Sequence, residues 1–175
     1  ILIIHRVCYL VDSRINPTAR RVNMIPEKTF EVITEGFGHI GSASNDKIPT
    51  HTDCLGASMN VEEDEITFFV RESLSNEVLS NLEENGRATI FAGVASHEAY
   101  QFKGQFVEAR ELTANEQEAS SKLRAYFIEA MSGMGLPRPA VERLFGVAPD
   151  IGVTVKIKEI FVQTPGPDAG SKLEF

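Results

Sequence analysis

Tryptophan is absent from the 175-residue chain, and cysteine occurs only twice, at 8 and 54. Two cysteines make no disulfide framework, so a reducing compartment, the cytoplasm, is the expectation. There is no apolar run of about 18 residues, so the sequence offers no candidate transmembrane helix and no membrane partner is expected. Positive charge is also scarce: 17 Lys and Arg stand against 25 Asp and Glu, for a net charge of −8. A nucleic-acid binder needs a basic face to displace counterions, so nucleic acid is set aside as a partner. What remains is ordinary for a globular domain: 42% hydrophobic and 24% charged residues, and enough length to bury one core.

Composition breaks near Met24. Residues 1–23 carry four arginines, at 6, 14, 20 and 21, against Asp12 alone, whereas the rest of the chain is strongly acidic. Residues 1–23 are therefore expected to be an extra segment derived from cloning, 24–167 the domain, and 168–175 a tail. Pro26 and Glu27 suit a helix start, and 26–35 reads as a short helix facing Phe30, Val32 and Ile33 inward. Strands follow at 39–43, 49–59 and 65–71. A helix at 74–85 places Leu74, Val78, Leu79 and Leu82 on one stripe. Strands at 87–94 and 98–112 come next, the latter with Tyr100, Phe102 and Phe106 on one face. A long helix at 114–134 offers Leu123, Phe127 and Met131 for burial, and a small helix at 139–145 follows. The last strand, 151–164, alternates through Ile157 and then slips before Ile160. This order lacks the regular alternation of a Rossmann fold. It predicts a mainly β, α+β domain: a small antiparallel barrel with flanking helices.

Motifs that name a chemistry outright are few. Gly36-Phe37-Gly38-His39-Ile40-Gly41 matches the dinucleotide fingerprint in letters only, because no helix can form before Pro49. It reads instead as a helix-to-strand turn whose glycines allow positive φ. His51 and Cys54 lie an odd number apart on a strand and so face opposite sides, which argues against a shared metal. Ser44-x-x-Lys47 has no second motif to support it. The linker Arg71-Glu72-Ser73-Leu74-Ser75-Asn76 joins a strand to a helix. Ser73 is placed to cap that helix, and the free N–H groups with Arg71 suit an anion.

The run EITFFVRESLSNEVLSNLEENGRATIFAG, then HEAYQFKGQFVEA and the closing VQTPGP, resembles the pyridoxamine 5'-phosphate oxidase-like, FMN-binding split-barrel superfamily. The resemblance implies a six-stranded antiparallel split β-barrel with flanking helices, as a homodimer with flavin at the subunit interface. It places flavin-binding residues at Thr52, Cys54, Leu55, Arg71, Ser73, Leu74, Ser75, Asn76, Gln101 and Lys103. It names no catalytic side chain and no metal. Thr52, Ala57, Ser75 and Asn76 stand where authentic pyridoxamine phosphate oxidases carry basic residues, and the family's C-terminal Trp is missing. The implied activity is thus that of a flavin oxidoreductase: a flavin reductase moving electrons from NADH or NADPH to FMN or FAD, then to dioxygen or another acceptor. The alternatives are an oxidase of the pyridoxamine phosphate type, or a non-catalytic flavin- or haem-binding protein with His39, His51 or His97 as axial ligand. A chain beginning at Met24 is expected to keep its fold and its flavin affinity, which circular dichroism and a flavin titration check; loss of either makes residues 1–23 integral.

Overall fold

The computed structural model describes residues 25–60 and 62–175; the expectation for residues 1–23 lies outside them. Four helices and eight strands follow in the order α1 (Glu27–Glu35), β1 (Phe37–Ala43), β2 (Pro49–Cys54), β3 (Ala57–Asn60), β4 (Glu65–Val70), α2 (Asn76–Asn85), β5 (Arg87–Gly93), β6 (Ala99–Glu111), α3 (Ala114–Gly133), α4 (Arg138–Phe145), β7 (Ile151–Val162) and β8 (Lys172–Leu173). All strands form one sheet in the order β2-β1-β5-β6-β7-β4-β3, with β8 on β7, and every pairing is antiparallel. No helix among the described residues is long and apolar enough to cross a membrane.

The strand count departs from the expected six. One predicted strand, 49–59, is two strands that sit at opposite ends of the sheet's path. The step between them is Leu55-Gly56. The Leu55 N–H donates to the Phe69 carbonyl at 2.8 Å, and the Phe69 N–H donates to the Gly56 carbonyl at 2.9 Å. Two residues thus face one, as in a β-bulge, and the chain turns from β1 toward β4. Gly56 sits at φ +130, and a Cβ there would stand 2.7 Å from the Phe69 ring. Only glycine meets both conditions. The two-residue β8 accounts for the remaining extra strand.

Alternation fixes the inner face. Ile40, Ile90, Phe102 and Ile160 share one register row and are fully buried. Ile66, Phe68, Val153 and Val155 extend this core, and α1 and α2 add Val32, Ile33, Val78 and Leu82. The slip read between Ile157 and Ile160 is a bulge: Lys103 pairs with Glu159, but Gly104 pairs with Ile157. A second bulge leaves Val107 unpaired between Phe106 and Glu108. Leu74 departs from its predicted burial. The helix begins only at Asn76, a 3-10 turn covers Glu72–Leu74, and Leu74 is 59% exposed.

The helix α3 starts with a capping box in which Thr113 and Glu116 satisfy each other's backbone. Glu116 also takes two bonds from Arg110, at 2.8 and 2.9 Å, and one from the Ser58 hydroxyl at 2.8 Å, tying α3 to β6 and β3. Burial pushes the Glu116 carboxyl up, but the Arg110 guanidinium, the Thr113 N–H and the Ser58 and Thr113 hydroxyls outweigh it and hold it at about 2. A carboxyl lowered on folding stabilises above its unfolded pKa, and that contribution fades as pH falls toward the folded value. Glu116→Gln should cost about 1–3 kcal/mol at pH 7 and progressively less from about pH 4.5 down to 2, as urea unfolding at stepped pH will read.

Candidate functional site

The register that fills the core also composes the outer face. One row runs Asp53, His39, Phe91, Gln101, Phe161 and Lys172 across β2, β1, β5, β6, β7 and β8. The next runs His51, Gly41, Thr89, Lys103 and Glu159. Phe91 is 42% exposed, and Gln101, Lys103 and Phe161 are half-buried. The Lys103 ammonium lies 4.5 Å from the centre of the Phe161 ring, a cation–π contact.

At one end of this strip, charge concentrates. Arg71 is almost wholly buried where β4 leaves the sheet. Its guanidinium stands 3.5 Å from Asp53 Oδ2 and donates to the Leu144 carbonyl at 3.4 Å. Asp53 Oδ1 is 3.1 Å from His39 Nδ1. The His39 ring meets Phe37 edge-on at 4.7 Å and His51 at 5.5 Å between centres. Arg124 of α3 donates to the Phe145 and Gly146 carbonyls, at 3.1 and 2.8 Å. Burial, and then the charge of Arg71, depress the pKa of Arg124. Two arginines therefore hold the carbonyl end of α4, where the helix dipole is negative. The helix in turn packs Val141 and Phe145 on Leu55, with Phe37 and Phe127 beside them.

The ten residues drawn from the resemblance divide among these surroundings. Gln101 and Lys103 share the outer face. Thr52 and Cys54 belong to the inner face and are buried, so they line the core rather than the outer strip. Burial, reinforced by the Asp53 charge, pushes the Cys54 thiol well above its ordinary range, so it is no thiolate. Leu55 is buried under α4. Ser73 and Leu74 are exposed on the linker, Asn76 is exposed as the first residue of α2, and Ser75 is buried. The expected Ser73 cap is not made. Ser75 occupies the N-cap position and donates its hydroxyl to the Arg71 carbonyl at 2.7 Å, with Thr52 Oγ1 within hydrogen-bond distance of it at 3.2 Å. This pins the linker to β2 and leaves the α2 N-terminus without a side-chain cap.

The glycine motif is likewise a turn of a different kind. Gly36 has φ −98, and a Cβ there would lie 2.3 Å from the Val32 carbonyl oxygen and 2.4 Å from that of Gly93. Close approach of α1 to β5, rather than positive φ, requires the glycine. Among the described residues no three His, Cys, Asp or Glu side chains converge as metal ligands. His97 lies in the β5–β6 turn at φ 67, whereas His39 and His51 meet on the outer face. A separate cleft of about 480 Å3 opens between Lys28, Glu98, Tyr100 and Thr164, and none of the ten residues lines it.

Sequence reasoning missed Asp53, Phe91, Phe161 and Arg124 as site residues, and offered His39 only as a haem ligand. Asp53 had a signal: it alternates with Thr52 and Cys54 and so must face the other side. Arg124 had none, because its partners are backbone carbonyls of a helix brought in by the tertiary fold.

No protein-family model matches the chain, and no curated protein matches its sequence. Solved structures do match. HupZ of Group A Streptococcus is 17% identical with a TM-score of 0.50, over 84% of this chain and 100% of that one. A candidate pyridoxamine 5'-phosphate oxidase from Lactobacillus delbrueckii is 13% identical with a TM-score of 0.50, over 81% of this chain and 97% of that one. The likeness is one of fold: the chain shares an antiparallel split-barrel architecture with these structures.

Arg124→Ala should free two α4 carbonyls and loosen that helix. The expected loss is about 1–2 kcal/mol in denaturant unfolding, with faster amide exchange in 138–145 and unchanged exchange in β5 and β6.

Proposed function

We propose that the protein is a flavin oxidoreductase of the flavin-reductase type, binding FMN or FAD on the outer face of β5, β6 and β7. The observation that carries this reading is the uncovered strip in which Phe91 and Phe161 flank Gln101, with Lys103 beside them. Aromatic and apolar flanks suit a planar ring, and a side-chain amide and an ammonium suit its polar edge. The fold shared with a candidate pyridoxamine 5'-phosphate oxidase supports it. For a phosphate the chain offers Arg71 and the uncapped start of α2. Asp53 already faces that guanidinium at 3.5 Å. One partnered arginine makes a loose phosphate grip, which favours a flavin that exchanges as a substrate does.

Such a flavin supplies hydride chemistry, with NADH or NADPH as donor. The chain's part is to orient the ring with Gln101 and Lys103 and to exclude water with Phe91 and Phe161. A homodimer closing over the strip belongs to this reading, since Leu74, Leu144 and Val147 are each 59% exposed beside the Arg71 corner. A haem-binding reading rests on His39 and His51 standing together on the same face.

Purified protein should accelerate NAD(P)H oxidation with added FMN or FAD, aerobically and anaerobically, and scatter light as a dimer. Arg71→Ala should weaken FMN binding roughly ten- to a hundred-fold. Absence of any acceleration over free flavin overturns the reductase assignment, and an intense Soret band in place of flavin absorbance selects haem.

A further inference from the structure

The outer strip contains one ionisable arrangement that flavin binding leaves unused. His39 stands between Asp53 on β2 and Phe91 on β5, in the same register row as Gln101 and Phe161. Its side chain is 35% exposed, and its Nδ1 is buried without a hydrogen-bond partner although Asp53 lies close by. Asp53 approaches its Nδ1, and Arg71 fixes Asp53 from the far side. Phe37 and His51 restrict the ring plane by edge-on contacts. Immediately beside it, Gly41 leaves the face unfilled. A Cβ there would meet nothing closer than the Thr50 carbonyl at 3.4 Å, so a ring could lie against the backbone.

We infer that His39, positioned by Asp53, is the proton-transferring side chain of this face. The assignment rests on the flavin reading above and adds the chemistry of the acceptor: a two-electron organic acceptor that gains a hydride at one atom and a proton on oxygen or nitrogen at another. An imidazole beside a carboxylate is suited to this task, because a nearby negative charge stabilises an imidazolium, and here Phe37 and His51 limit the ring plane. A reduced flavin bound on the strip would supply the hydride, with its electron pair, to the acceptor. His39 gives the proton from its ring nitrogen and is left neutral. Water returns that proton, so two electrons and two protons reach the acceptor and the flavin is reoxidised. Gln101 and Lys103 carry the ring at the other end of the strip. Strands lie about 4.8 Å apart, so β1 and β6, two strands away, are separated by roughly 10 Å, the scale of a fused ring system.

The charged and titratable groups that face His39 are few and known. Asp53 and His51 come from β2, Arg71 from the end of β4, and Arg124 of α3 stands behind Arg71, whose charge it feels. From β5 it meets Phe91, which does not ionise. His51 is the internal control, because it shares the aromatic contact but lies diagonal to the Asp53 pair.

The test compares wild type with His39→Gln, Asp53→Asn and His51→Gln in three measurements: FMN affinity by fluorescence, imidazole titration by NMR with and without FMN, and the pH profile of turnover with a quinone acceptor. Glutamine at 39 should keep FMN affinity within about threefold, lower quinone turnover by roughly a hundredfold, and remove the limb of the pH profile that follows the imidazole. Asp53→Asn should change the same limb of the profile, while His51→Gln leaves it in place. FMN should perturb the His39 resonances in the NMR titration, independently of turnover. If wild type binds FMN and turns over quinone but His39→Gln does so with an unchanged profile, the proton role falls and the flavin reading stands. If FMN neither binds nor perturbs His39, both fall.

Discussion

The structure depends on how the chain passes Leu55-Gly56. At that point a continuous stretch stops pairing with β1 and starts pairing with β4, so the two ends of the sheet's path are joined by two residues. Covalent continuity, together with the two hydrogen bonds to Phe69, curls the sheet on itself and leaves little exposed edge there. The same step exposes the Leu55 carbonyl to α3, where the Ser120 hydroxyl donates to it at 2.7 Å. It also turns the Leu55 side chain outward under α4. The helical hairpin is therefore seated on the kink that closes the barrel.

The kink also brings charges together that the strand order alone would separate. Asp53 ends β2 and Arg71 follows β4, and these strands are not neighbours in the hydrogen-bonded path. Closure places their side chains 3.5 Å apart. Once there, Arg71 serves Asp53 and the end of α4 simultaneously, and Asp53 serves Arg71 and His39. A buried guanidinium without such partners would cost several kcal/mol, so the cluster is consistent with the rest of the core only as a set. The polar corner and the apolar cluster of Phe37, Phe127 and Phe145 lie against each other, because the same strand β1 supplies both Phe37 and His39.

Much of this was legible from residue order. The helix at 27–35, the strands at 65–70, 87–93 and 99–111 and the long α3 lie within a few residues of their predicted bounds. Even the bulge near Lys158 announced itself as a break in alternation. The split of 49–59 did not, because a glycine at positive φ looks the same in a sequence as any other glycine. Leu74 misled for a related reason: its spacing fitted the α2 stripe, but Ser75 turned away to bind Thr52 and the helix began one residue later.

For the site, sequence alone determined which residues share a strand face: Gln101 with Lys103, and His51 opposite Cys54. That follows from the two-residue period of any β-strand. Which faces look toward each other was decided only in three dimensions. Thr52 and Cys54, adjacent in sequence to Asp53, fall inside the barrel, and Asp53 alone reaches the outer row with His39. Arg71 and Arg124 meet at the end of α4 across 53 residues of chain. Such meetings depend on long-range pairing and closure of the sheet, which residue periodicity does not encode, whereas the local backbone geometry it does encode had already fixed the strands.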